Sequence, residues 1–272
     1  MTPLHLTHFG LTRTPFSKEI ADSDLWLPPS KGPLVDDIED AVRARSSILL
    51  VGDPGVGKTC VLRALRHRLG QADFQLTYCH NATLGRRDFY RQICVALGLS
   101  PRATAASVFY AISTHVQELA QEKAHPVFLL DEAHLLHQDT LDHLHILLNY
   151  EWDSRALLTL VLVGLPDLAD RLQLRRNRSL LSRLSVRRRV APLSPEDTWD
   201  YLLFRAKNAG ATREIFTRDA AAFLHEAAGG TLRDLDRIAA AALHEASVHN
   251  RERVERDIVQ RVLAIDAQHR QL

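Results

Sequence analysis

Over the first two thirds of the chain, short apolar runs alternate with longer stretches whose apolar residues recur at three and four residue spacing. The short runs are SILLVG (Ser47–Gly52), FQLTYC (Phe74–Cys79), VFLLD (Val127–Asp131), LTLVLVG (Leu158–Gly164) and VRRRVA (Val186–Ala191). Between them lie VLRALRHRL, DFYRQICVAL, VFYAISTHVQELA and LDHLHILLNY, each patterned as an amphipathic helix. Strands alternating with helices predict a parallel sheet covered by helices. The first four runs are almost continuously apolar, as strands buried on both faces should be.

After APLSPED the pattern changes and every remaining segment reads as helix. In SPEDTWDYLLFRAKNAG, Ser194 suits the N-cap, Pro195 the first helical position and two acids the first turn, with Gly210 as the stop. Further helices are predicted over Arg218 to Ala228, Leu232 to His249 and Glu255 to Ala267. The expected organisation is a leading segment with its helix (1–46), an α/β core (47–192) and a small all-helical lid (193–272). No internal repeat or low-complexity tract interrupts it.

Composition narrows the class without changing this picture. With 272 residues, 46% hydrophobic and 25% charged, the chain has material for a sizeable core and is neither disordered nor fibrous. The 34 basic and 33 acidic side chains nearly cancel, so any polyanion must be met by a local patch. Cys60, Cys79 and Cys94 are too scattered for a CxxC metal pair or a disulfide framework and are expected as buried free thiols. No run approaches the roughly 18 apolar residues of a membrane span. The N-terminus lacks a secretory core, and a cytoplasmic location follows as the expectation.

The strongest chemical signal is VGDPGVGKT (Val51–Thr59), a GxxxxGKT pattern placed after an apolar strand and before an amphipathic helix. Gly52, Gly55 and Gly57 allow the backbone to turn its N–H groups inward, with Asp53, Pro54 and Val56 completing the loop and Cys60 following it. Lys58 would reach the β and γ phosphates of ATP, and the Thr59 hydroxyl would bind Mg²⁺. In VFLLDEAH, Asp131 follows four apolar residues and would hold the Mg²⁺ hydration shell. Glu132 is placed to orient or deprotonate the attacking water. DEAH also names a helicase box, but such helicases need two full ATPase domains, and His134 is expected simply in the first turn of a helix.

These motifs, with LVLVGLPDL, an arginine-bearing segment and GGTLRDLDRIAAAAL in the helical tail, resemble an AAA+ ATPase. Within that class the chain is similar to the ExeA-like group and to the transposition ATPases TniB, TnsC, IstB and MuB, from FGLTRTPFS (Phe9–Ser17) onward. The resemblance implies a five-stranded parallel α/β core with a helical lid. It implies that Arg233, in GGTLRDL, reaches the phosphates from the lid. At the position after LVG the group commonly carries a polar Gln before the Pro, whereas this chain has Leu165 before Pro166, and altered turnover follows as an expectation.

The segment LRRNRSLLSRLSVRRRV (Leu174–Val190) has seven arginines and no carboxylate. By the same resemblance, Arg183 best matches the arginine that completes a neighbouring subunit's site, with Arg175, Arg176 and Arg178 as runners-up. Most of these arginines suit a solvated helix face equally well. Arg187, Arg188 and Arg189 are consecutive, so along a strand they alternate in direction and cannot all reach one ligand. Loops that line the channel in related transposition ATPases correspond to NATLGRRDFYRQ and SPRAT, making Arg86, Arg87, Arg102 and Thr104 the DNA-contact candidates. Contacts of that kind fall on the backbone of double-stranded DNA and tolerate any sequence.

The resemblance implies an ATPase that forms a homo-oligomer, a hexameric or heptameric ring or a helical filament, on duplex DNA. It would recruit a transposase, with a target-selection protein as a further partner, and hydrolysis would drive disassembly. The alternatives are an ExeA-type secretion ATPase, for which a membrane span and a peptidoglycan-binding region are expected, and a nucleotide-gated scaffold with little turnover.

Overall fold

The computed structural model describes residues 3–17, 19–70, 73–79, 85–100, 105–150 and 154–269. The chain divides into two units: an α/β unit of Pro33–Asp53 and Val61–Val190, and a helical unit of Met1–Gly32, Pro54–Cys60 and Ala191–Leu272. Among the described residues no helix is long and apolar enough to cross a membrane.

In the α/β unit the apolar runs become β1 (Ile48–Val51), β2 (Phe74–Cys79), β3 (His125–Leu130), β4 (Thr159–Gly164) and β5 (Val186–Arg189). All pair in parallel, in the order β2-β3-β4-β1-β5. The central strands β3 and β4 are buried at every position, which is why their sequence is apolar without alternation. β2 departs from the expected burial on both faces: it lies at the sheet edge, and Tyr78 is 46% exposed. β5 forms the other edge, and its arginines are exposed.

Helix α1 (Leu4–Phe9) opens the chain; α2 (Gly32–Arg43) and α3 (Lys58–Arg68) flank β1 in sequence. They are followed by α4 (Arg86–Ala96), α5 (Ala105–Gln121), α6 (Gln138–Leu147), α7 (Pro166–Gln173) and the single turn α8 (Arg178–Leu181). Phe89, Ile93, Ile112, Leu141 and Leu144 from these helices meet Phe128, Leu130 and Leu160 of the sheet in one core. Each such side chain contributes about 1.5–3 kcal/mol by leaving water. Cys79 and Cys94 are buried there, whereas Cys60 is only half-buried.

The helical unit contains α9 (Pro195–Asn208), α10 (Arg218–Ala228), α11 (Leu232–Val248) and α12 (Arg256–His269). Ser194 caps α9 as its position predicts: its hydroxyl accepts from Asp197 N at 3.0 Å, and the Asp197 carboxylate accepts from Ser194 N at 3.2 Å. The sequence reading set residues 1–46 before the α/β core as one segment; the residues up to Gly32 instead group with the C-terminal helices. The cause is apolar: Leu6, Phe9, Leu11 and Phe16 enter a core with Trp199, Leu202, Leu224 and Ile238. Arg205 secures the join, donating to the carbonyls of Pro15 (2.5 Å) and Ser17 (2.9 Å) and to the Tyr201 hydroxyl (2.8 Å). Tyr201 in turn donates to Asp236 at 2.5 Å. A buried guanidinium is tolerable only with its donors met, so this network fixes the path of the N-terminal segment.

His125, 7% exposed at the start of β3, shares a 2.9 Å hydrogen bond with Thr159 on β4. Burial, aided by Arg45, pushes its pKa down to about 4. The native imidazole therefore stays neutral where the unfolded one takes up a proton. Stability from this site is full above the ordinary histidine value and is lost as pH falls towards 4. Between pH 7 and pH 5 the wild-type Tm should fall several degrees further than that of His125→Gln in matched thermal melts; parallel decreases would remove His125 as the cause.

Candidate nucleotide-binding site

β1 ends at Val51, and the chain then turns through Gly52–Gly57 into α3, whose first residues are Lys58 and Thr59. Gly55 and Gly57 have φ of +79° and +96°, a region that side chains disfavour. Helix α11 explains why side chains are absent there. Leu232 N donates to Gly55 O at 2.9 Å, and a Cβ on Gly55 would stand 2.9 Å from the Arg233 Cβ. A Cβ on Gly57 would meet Leu232 Cδ1 at 3.0 Å. The sequence candidate Arg233 thus has its backbone beside the loop, while its side chain is exposed. Lys58 is 8% exposed, Thr59 is exposed and Cys60 half-buried.

Lys31, which sequence reasoning passed over, is 5% exposed and donates from Nζ to Val56 O at 2.5 Å. Burial lowers its pKa, opposed by Cys60 and Asp197. Ser30 beside it donates to Asp197 at 2.5 Å. Burial alone would raise the Asp197 pKa; the hydrogen bonds from Ser30 and Ser194 outweigh it and hold the carboxyl below its ordinary range. The signal available in sequence was the PPSKG turn, which carries no charge pattern.

In the α/β unit, Asp131 follows β3, is 5% exposed and has both carboxylate oxygens engaged. Oδ1 accepts from Glu132 N at 2.9 Å, and Oδ2 accepts from the Tyr78 hydroxyl at 2.8 Å. Burial and then the Asp131 carboxylate raise the Tyr78 pKa, so the phenol keeps its proton and remains the donor. No motif singles out Tyr78; only the pairing of β2 with β3 brings it to Asp131. Glu132 has φ 52° and ψ 32°, left-handed and uncommon for a residue with a side chain, and its side chain is 49% exposed. His134 lies in a short 3-10 turn, Ala133–Leu135. Leu165, at the position where a polar side chain was sought, caps α7.

The arginine-rich segment resolves into separate destinations. Buried Asn177 anchors it, accepting from Gln138 at 2.6 Å and donating to Arg171 O at 2.8 Å. Arg175, Arg176 and Arg178 face solvent, and Arg183 is half-exposed beyond α8. Arg187 folds onto the carbonyls of Leu184 and Leu181, Arg188 pairs with Asp37 at 2.8 Å, and Arg189 pairs with Asp53 of the glycine loop at 3.2 Å. Arg86 and Arg87 are exposed at the start of α4, whereas Arg102 and Thr104 lie outside the described residues.

The loop geometry makes a direct claim about substitution. Gly55→Ala should cost about 1–3 kcal/mol in urea denaturation, from left-handed strain and the clash with Arg233. Gly32→Ala, at helical φ −52° with nothing within 4 Å of the new methyl, should leave stability unchanged or slightly raised. Equal effects would refute the close approach of α11.

Residues 41–172 match the family described as AAA domain. The chain is 31% identical over 225 residues to general secretion pathway protein A of Aeromonas hydrophila, covering 82% of this chain but only 41% of that protein. Among solved structures it resembles the ORC1 protein of Aeropyrum pernix, in complex with DNA, with TM-score 0.64 and 20% identity over 88% of this chain and 66% of the other. The Drosophila ORC bound to DNA aligns with TM-score 0.68 and 19% identity over 96% and 65%. The RuvB Holliday junction branch migration motor of Thermotoga maritima aligns with TM-score 0.59 and 16% identity over 93% and 73%. The chain thus resembles the AAA domain in sequence over residues 41–172 and adopts the AAA+ P-loop fold over most of its length.

Proposed function

We propose that this protein is an ATPase that binds Mg²⁺·ATP on the Gly52–Thr59 loop, assembles on duplex DNA and regulates transposition by recruiting a transposase. The observation that carries the nucleotide reading is the loop itself: glycines at positive φ directly before the first turn of α3, with α11 seated against them. Bound ATP supplies the phosphoanhydride bond that is broken. Backbone N–H groups of the loop and Lys58 hold the phosphates, and Thr59 and Asp131 hold the metal with its waters. Glu132 takes the proton of the attacking water. Arg233 answers to nucleotide state from α11, and Arg183 reaches a neighbouring copy's site.

Support for DNA comes from Arg86 and Arg87, exposed together at the start of α4, and from the DNA-bound state of the ORC structures of like fold. A second reading, a secretion-associated ATPase, is favoured by the 31% identity to general secretion pathway protein A.

Mixing the full chain with duplex DNA and ATP, ADP or a non-hydrolysable analogue, then measuring binding, assembly and phosphate release, separates these readings. ATP-dependent assembly on DNA supports the first; absence of DNA binding in every nucleotide state sinks it. The double change Arg86→Ala/Arg87→Ala should weaken binding alike on all sequences and lower the slope of log affinity against log salt by about 1–2. Arg183→Ala should abolish the stimulation of hydrolysis by assembly while sparing ATP binding to the monomer, and stimulated turnover at the wild-type rate would refute that assignment.

A further inference from the structure

Asp131 is held at both carboxylate oxygens, but the adjacent Glu132 carboxylate extends into solvent, and the group beside it is an imidazole. His134 Nδ1 lies 3.5 Å from Glu132 Oε2, slightly beyond a formed hydrogen bond. The His134 side chain is 10% exposed, and its Nδ1 is buried with no hydrogen-bond partner. Leaving a buried polar atom unpaired costs about 1–3 kcal/mol, so a partner within reach of Nδ1 is favoured.

The backbone around this pair is built to keep it close. Glu132 stays in the left-handed region, and Leu135 N returns to Glu132 O at 2.9 Å. From α7, Arg171 donates to the carbonyls of His134 (3.0 Å) and Leu136 (2.6 Å), clamping the turn. Gly164, at the end of β4, lets the turn pack closely: a Cβ there would stand 2.9 Å from Leu168 Cδ2 and 3.1 Å from His134 N, with Nδ1 in ordinary contact at 3.4 Å. The next residue, Leu165, offers no polar atom in its side chain. The imidazole is therefore a polar group held in place within reach of the Glu132 carboxylate.

We propose that His134 is a positioning residue for Glu132: its Nδ1–H donates to the carboxylate and holds it in the orientation from which it takes a proton from water. The role rests on the reading of Glu132 as the base in ATP hydrolysis. There the water oxygen bonds to the γ-phosphorus, the water proton passes to Glu132, and the bond from that phosphorus to the bridging oxygen breaks, leaving the electron pair on ADP. His134 neither gains nor loses a proton in the step. The long 3.5 Å approach shortens when the carboxylate turns inward, as catalytic hydrogen bonds in ligand-free sites commonly do.

The test uses the full chain with Mg²⁺·ATP, steady-state phosphate release and fluorescent ATP-analogue binding. His134→Ala should lower kcat roughly 10- to 100-fold, with KM and analogue affinity within about twofold of wild type. His134→Asn, which restores a donor near the Nδ1 position, should recover most of the loss. In a Glu132→Gln background His134→Ala should add no further decrease. Wild-type kcat in His134→Ala, a loss confined to KM or affinity, or an Asn variant no better than Ala overturns the proposal. Full turnover in Glu132→Gln overturns the base assignment as well. A dead Glu132→Gln beside a fully active His134→Ala overturns the positioning role alone.

Discussion

The contact on which the candidate site depends is the seating of the α11 N-terminus on the Gly55 carbonyl. It requires a backbone with nothing attached at Gly55 and Gly57, and it converts a flexible glycine turn into one held along its length. Lys31 fastens the intervening Val56 carbonyl, and the neighbouring Ser30 carries the connection to the cap of α9 through Asp197. A loop that wraps phosphate must present its N–H groups inward. Fixing the carbonyls of Gly55 and Val56 from outside favours that arrangement in the free chain, and a loop already ordered loses less freedom on binding.

The acidic residues illustrate how one dipeptide acquires two characters. Asp131 is buried, with each oxygen bound by a donor of known origin, a state suited to a ligand that must not move. Glu132 is half exposed at a strained backbone position, a state suited to a group that must turn and exchange a proton. The adjacent positions differ because β3 ends at Leu130. Asp131 is still covered by β2, whose Cys79 carbonyl accepts its N–H, whereas Glu132 already belongs to the departing turn.

Much of the fold was legible because burial dictates pattern. Strands closed on both faces must be apolar, and the runs over β3 and β4 could hardly be anything else. Ser194 announced the start of α9, and GxxxxGKT announced the loop, because each motif is a local solution to a local backbone need. Residues that act across long separations left no such mark. Lys31 meets Val56, Tyr78 meets Asp131 and Arg205 meets Pro15 only after the chain has folded. The affiliation of the N-terminal segment was hidden for the same reason: FGLTRTPFS shows its apolar residues but not the core that receives them. That the His134 Nδ1 is buried without a hydrogen-bond partner is likewise a property of surroundings and not of spacing.

The arginines of β5 bear on the sheet as well as on the loop. Among the described residues β5 pairs with β1 alone and forms a sheet edge, the kind of template on which stray strands add and aggregation begins. Here that edge carries bulky cations already committed to Asp37, Asp53 and the carbonyls before the strand. A strand adding there would lie beside their charge. Exposed pairs of this kind add little stability, about 0–1 kcal/mol each. Their larger consequence is colloidal: charge along an edge strand disfavours the addition of a further strand through the backbone.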